Sequence, residues 1–206
     1  MDGVIETVDE IFDDGPRRFV NPRSGETHVR VFQGQYYVTN DPCEVLSTVL
    51  GSCVSVCIRD PQSGYGGMNH FLLPQAASSR PQGFSLRYGV HSIERLVNDI
   101  LGHGGVRSRL EIKVFGGANV LRGMAKIGTR NADFVENYLA REGLPIAASH
   151  LRGVIARRIR YYPRTGRVLL SRISHDAVDI GRQEIKLLDQ NLLEPGAGKA
   201  EIFNGS

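Results

Sequence analysis

The chain has 206 residues, 41% of them hydrophobic, and its 25 Lys and Arg against 22 Asp and Glu leave a formal net charge of +3. That is enough apolar material for one domain with a sizeable core, and too little excess charge for a dedicated nucleic-acid binder. No apolar run approaches the ~20 residues of a membrane helix, and three cysteines, an odd number, suit a reducing compartment better than a disulfide framework. The acidic stretch Met1 to Asp14 lacks the basic-then-apolar pattern of a secretion signal, so a cytoplasmic location without membrane insertion is expected.

In chain order, residues 1–34 read as a mixed-charge leader, partly ordered at most, broken by Gly15-Pro16, Asn21-Pro22 and Ser24-Gly25. The folded domain is expected over 35–190. Val29 to Thr39 alternates around Gln33-Gly34-Gln35, which predicts a hairpin, and Glu44 to Leu50 leads into the turn Gly51-Ser52-Cys53. Val54 to Ile58 alternates as a half-buried strand, Asp60 to Gly67 is dense in turn formers, and Met68 to Leu73 returns beside it. Pro74 to Gly83 is a polar loop. Ser92 is placed to cap a helix whose Ile93, Leu96, Val97, Ile100 and Leu101 form one stripe ending at Gly102. Leu110 to Phe115 is a strand running into Gly116-Gly117, and Asn131 to Arg141 is a helix closed by Gly143. A Thr165-Gly166 turn joins strands Val154 to Tyr162 and Arg167 to Ile173, and residues 191–206, with Pro195-Gly196-Ala197-Gly198, read as a frayed tail.

The chemistry concentrates where Cys53 enters its strand and the reversal carries His70 back toward it. A cysteine becomes a nucleophile when an adjacent imidazole takes its proton. Gly51 frees the backbone just before the thiol, so the amides there can face a bound carbonyl as an oxyanion hole. Cys53 and Cys57, on one strand, stand roughly 13 Å apart at ~3.3 Å per residue, too far for a disulfide or a shared metal. His28, His91, His103, His150 and His175 have no ligand-like spacing, so no metal site is expected. Gly116-Gly117-Ala118-Asn119 lacks the lysine and hydroxyl of a phosphate loop.

Gly51-Ser52-Cys53-Val54, Asp60-Pro61, Gly66-Gly67-Met68-Asn69-His70 with Leu73-Pro74, Arg87-Tyr88, Phe115-Gly116-Gly117-Ala118-Asn119 and Ile127-Gly128-Thr129-Arg130-Asn131 follow in order and spacing from about Tyr37 to Leu170. In these motifs the chain resembles the CheD-type chemoreceptor glutamine deamidases. The resemblance implies an α+β fold, a single domain with a β-sandwich-like core flanked by helices, similar to the catalytic domain of cytotoxic necrotizing factor toxins. It implies hydrolysis of glutamine side-chain amides on methyl-accepting chemoreceptors to glutamate, with release of ammonia and no cofactor. Carried over by position, it makes Cys53 the nucleophile and His70 the general base and acid. The third catalytic position falls at Ser47, where the family commonly has threonine, with Thr48 offering a second hydroxyl beside it. Ser52, Asn69, Gly116 and Gly117 are expected to contact substrate, and Asn119, Arg130 and Asn131 to shape the cleft.

Arg152, Arg157, Arg158, Arg160, Arg164, Arg167 and Arg172 form a basic stretch without an acid. Strand alternation divides them between two faces, which favours docking to an acidic receptor bundle over nucleic acid. Near it the family often has Asp-x-Gly-Gly where Ser149-His150-Leu151-Arg152-Gly153 stands here. Expected partners are chemoreceptor cytoplasmic domains and a CheC-type phosphatase. The alternatives to a deamidase are a regulatory binding partner of that phosphatase and another cysteine hydrolase, such as a receptor methylesterase or a thioesterase.

Overall fold

A computed structural model describes residues 16–22, 24–73, 82–120, 126–173 and 201–203, with backbone alone for 82–86 and 201–203. In chain order its strands are β1 (Arg17–Val20), β2 (Thr27–Arg30), β3 (Tyr36–Thr39), β4 (Glu44–Leu50), β5 (Val54–Arg59), β6 (Gly66–Asn69), β7 (Glu111–Gly116), β8 (Ile146–Leu151), β9 (Arg157–Tyr162), β10 (Arg167–Arg172) and β11 (Glu201–Phe203). The helices are α1 (Gln82–Gly102) and α2 (Ile127–Arg141).

The strands form two mixed sheets, ordered β1-β2-β4-β9-β10-β11 and β3-β6-β5-β7-β8. Their inner faces meet. Leu46, Leu50, Ile159, Tyr161, Val168 and Leu170 of the first sheet pack against Cys53, Cys57, Met68 and Phe115 of the second. The other face of the second sheet, with Val54, Val56, Ile58 and Val114, is covered by Ile93, Leu96 and Ile100 of α1 and by Val135 and Leu139 of α2. Each such side chain contributes roughly 1.5–3 kcal/mol through burial. The result is an α+β single domain in which β5 lies in the middle layer. It is therefore buried on both faces, not half-buried as its alternation suggests.

Other expectations change for similar reasons. The leader does not end at residue 34: β1 and β2 belong to the first sheet, and Val29 and Val31 are fully buried. Residues 1–15 lie outside the described residues. Val29 to Thr39 is not a hairpin, because β2 joins β4 in one sheet while β3 joins β6 in the other. The turn between them is real, but it carries the chain across the sandwich. The α1 helix begins at Gln82, so Ser92 is no cap; its hydroxyl and carbonyl receive the side chain of Asn69 instead. Most of the loop expected over 74–83 and most of the tail over 191–206 lie outside the described residues, but Glu201–Phe203 pairs with β10 as an edge strand.

The reversal after β5 is pinned by Asp60. Its buried carboxylate receives the Arg109 guanidinium, at 2.6 Å from Nη2, and the backbone amides of Val106, Gln62 and Ser63. Arg109 first, then these amides, hold the carboxyl well below the ordinary carboxylate range. This anchors the β5–β6 hairpin that returns His70 to the first half of the site.

Candidate active site

Three consecutive carbonyls shape the turn that presents the thiol. Ala118 N donates to Gly51 O at 2.8 Å, Asn131 Nδ2 to Ser52 O at 2.8 Å, and Gly117 N to Cys53 O at 2.7 Å. In a trans peptide the N–H points opposite to the preceding carbonyl. The amides of Ser52 and Cys53 are thereby directed away from this supporting layer. The close approach requires glycine at 116: its φ is +115°, and a Cβ there would lie 2.1 Å from Cys53 O.

The register brings His70 to the same face as the thiol. Val54 and Phe71 exchange backbone hydrogen bonds of 2.9 Å each, so Ser55 stands opposite His70 and Cys53 is its diagonal neighbour. Diagonal residues on one face stand about 7–8 Å apart at Cα, within reach of side chains of this size. Cys53 is 6% exposed and His70 3%. The sulfur donates to Gln33 Oε1 at 3.5 Å.

The imidazole is oriented by the facing sheet. His70 Nδ1 lies 2.8 Å from Thr48 Oγ1 and 3.4 Å from Val31 O, while the Thr48 hydroxyl donates to Val31 O at 2.8 Å. With its proton given to Val31, Thr48 Oγ1 accepts from Nδ1–H. This assigns the proton to Nδ1 and the lone pair to Nε2, a buried atom with no hydrogen-bond partner among the described residues. Burial pushes the imidazole pKa down to about 4, against a smaller upward effect of Val31 O, so the ring is neutral near pH 7. Gly34 N donates to His70 O at 2.7 Å and His70 N to Gln35 O at 3.0 Å, clamping the backbone beside the ring.

The hydroxyl that meets His70 is therefore that of Thr48, correcting the assignment to Ser47. Side chains alternate along β4: Leu46, Thr48 and Leu50 point between the sheets, whereas Ser47 points to the outer surface. Asn69 is likewise no substrate contact. It is fully buried next to His70 but on the opposite face, with Oδ1 accepting from Val56 N at 2.8 Å and Nδ2 reaching Ser92 on α1. Gly116 and Gly117 are buried behind the nucleophile turn, and the Gly117 amide is spent on Cys53 O. They support the turn from the side away from the Ser52 and Cys53 amides, contrary to their expected contact with substrate.

Asn119 bonds both the amide and the hydroxyl of Thr129, tying the turn after β7 to the start of α2. Arg130 Nη2 donates to Leu73 O at 3.3 Å. Neither the contact of Gln33 with the sulfur nor the bridge made by Asn131 has a local sequence signal beyond the polar turn Gln33-Gly34-Gln35 between two apolar runs. Burial pushes the Cys57 thiol up to about 12, which leaves it a core residue. Among the described residues, no group of three or more His, Cys, Asp or Glu is arranged to hold a metal ion. No described helix is long and apolar enough to cross a membrane.

A family model described as CheD chemotactic sensory transduction matches residues 72–172. A probable chemoreceptor glutamine deamidase CheD of Rhodopseudomonas palustris (strain BisA53) is 53% identical over 193 residues, covering 92% of this chain and 91% of that protein. The protein of the same description from Caulobacter vibrioides (strain NA1000 / CB15N) is 49% identical over 158 residues, covering 77% of this chain and 83% of its own. That of Hahella chejuensis (strain KCTC 2396) is 42% identical over 191 residues, covering 90% of each.

Proposed function

The chain belongs to the CheD family, and from this premise we propose that it is a chemoreceptor glutamine deamidase in which Cys53 is the nucleophile and His70 the general base and acid. The observation that carries the chemistry is the His70 ring: Thr48 and Val31 take up Nδ1, leaving the Nε2 lone pair for a proton on the face it shares with Cys53.

Nε2 takes the Cys53 proton as sulfur attacks Cδ of the receptor glutamine. The amides of Ser52 and Cys53 face the developing oxyanion, supported from behind by Ala118 and Asn131. Collapse of the tetrahedral intermediate breaks the C–N bond, and the imidazolium protonates the departing ammonia. The neutral ring then draws a proton from water, hydroxide attacks the thioester, and glutamate leaves as the thiol is restored. The receptor gains one negative charge per event.

Docking is proposed on the outer surface of the first sheet. Arg17 opposes Arg30, Arg30 opposes Ser47, and Ser47 opposes Arg160, forming one cross-strand row. Arg158 and Arg167 share this face by alternation. Such a field attracts an acidic helical bundle and speeds encounter in a salt-dependent way. Arg152 and Arg157, expected within the same basic stretch, are used inside the fold. Arg152 pairs with Asp133 and Glu136 of α2, and the buried Arg157 donates to the carbonyls of His150 and Arg152. A likeness to cytotoxic necrotizing factor toxins agrees with the two-sheet core, and a CheC-type phosphatase partner rests on the family resemblance.

The test incubates the protein and its Cys53→Ala variant with the cytoplasmic domain of a chemoreceptor and maps the peptides by mass spectrometry. Glutamine converted to glutamate by the parent and not by the variant supports the reading. Receptor glutamines left intact by folded parent protein overturn it.

A further inference from the structure

The turn that carries the chain between the sheets lies directly against both reacting residues. Gln35 N donates to Phe32 O and Phe32 N to Gln35 Oε1, each at 3.0 Å, and Gly34, at φ +88°, closes the turn in a conformation that favours glycine. The turn is fastened to the His70 backbone through Gly34 N and Gln35 O. Within it Gln33 is solvent-exposed, and its carboxamide oxygen accepts from Cys53 Sγ at 3.5 Å. A primary amide on a two-carbon stem, the same group as a receptor glutamine side chain, is thus held in contact with the nucleophile by a turn that also grips the base.

We propose that Gln33 is itself a substrate: it occupies the amide position of the site, and Cys53 of the same chain converts it once to glutamate. This rests on the deamidase reading above. Sγ forms a bond to Cδ of Gln33 while its proton passes to His70 Nε2. The Cδ–Nε2 bond of Gln33 breaks, and ammonia departs with that proton. Water then cleaves the internal thioester, leaving a glutamate side chain at position 33 and the restored thiol, so one water is consumed and one ammonia released. Holding the amide beside the sulfur makes the step intramolecular, with the large effective concentration such geometry confers. The product carboxylate places an anion next to the thiol, which disfavours thiolate and favours the protonated imidazole. The converted protein therefore requires higher pH for receptor deamidation than a protein that retains Gln33.

The full chain is purified from cells grown in ordinary medium, and its Cys53→Ala variant is made isotopically heavy. Each is incubated alone and together with a chemoreceptor cytoplasmic domain, and the peptides containing residue 33 and the receptor glutamines are mapped by mass spectrometry. Expected are glutamate at residue 33 in the parent and Gln33 retained in the heavy variant even when mixed with parent. Gln33 intact in a parent that converts receptor glutamines overturns the proposal while the deamidase reading stands. Conversion in Cys53→Ala alone means spontaneous hydrolysis, and conversion of the heavy variant only in the mixture means action between molecules; either overturns it. If neither residue 33 nor the receptor changes, the deamidase reading falls and this proposal with it.

Discussion

Asn131, near the start of α2, donates its side-chain amide to the carbonyl of Ser52 at 2.8 Å. The same carboxamide accepts from Leu73 N at 3.1 Å, so one fully buried residue ties the nucleophile turn to the segment that follows His70. The separation of thiol and imidazole thus depends on a residue of α2.

Replacing Asn131 by Ala leaves the buried amide of Leu73 without a partner, at a cost of about 1–3 kcal/mol, and the half-buried Ser52 carbonyl without its support. Urea denaturation is expected to show that loss. Under conditions where the variant is folded, kcat falls by about tenfold or more, equivalent to ~1.4 kcal/mol, with KM little changed. An unchanged kcat would remove Asn131 from the positioning of Ser52.

The two hydroxyls of β4 separate cleanly. Thr48→Val keeps the shape but leaves His70 Nδ1 only Val31 O, at 3.4 Å. A decrease in kcat of about tenfold or more is expected, with recovery in Thr48→Ser. Ser47→Ala, on the outer surface, should stay within about 0.5 kcal/mol of the parent in stability and show near-parent kcat. The reverse ranking in a deamidation assay would restore Ser47 as the partner of His70.

Burial of His70 makes stability depend on pH. Its pKa falls from an ordinary 6.5 to about 4 in the folded protein. Between these values the unfolded chain takes up a proton that the folded one refuses, so acidification favours unfolding. The contribution is complete above about pH 6.5 and is lost as pH falls through 4. The slope reaches about 1.4 kcal/mol per pH unit, and the total is roughly 3 kcal/mol. Urea midpoints of parent and His70→Asn, measured from pH 7 to 4, should converge on acidification; parallel curves would contradict a buried neutral imidazole.

The arginine row predicts a salt-sensitive encounter. Arg17 and Arg160 are exposed and share the outer face of the first sheet. Arg17→Glu combined with Arg160→Glu should raise KM for a receptor domain severalfold at low salt, with kcat retained, and the difference should shrink as salt screens the field. Equal KM at low salt would move docking to another surface.

The β4-turn-β5-β6 sequence was legible in the chain because its cues are local. Alternating apolar residues mark the strands, Asp60 to Gly67 marks the reversal, and a hairpin of that register brings Cys53 and His70 to one face. Period-two alternation distinguishes two faces of a strand but does not say which layer covers each. Alternation alone therefore does not decide between Ser47 and Thr48 as the partner of His70, does not turn Asn69 toward α1, and makes β5 look half-buried. Likewise, local turn chemistry identified the break at Gln33-Gly34-Gln35 but not that β2 and β3 enter different sheets. Assembly of the sandwich decided that, because only the facing sheet supplies Thr48 and Val31 to the ring of His70, and only the crossing turn brings Gln33 to the sulfur of Cys53.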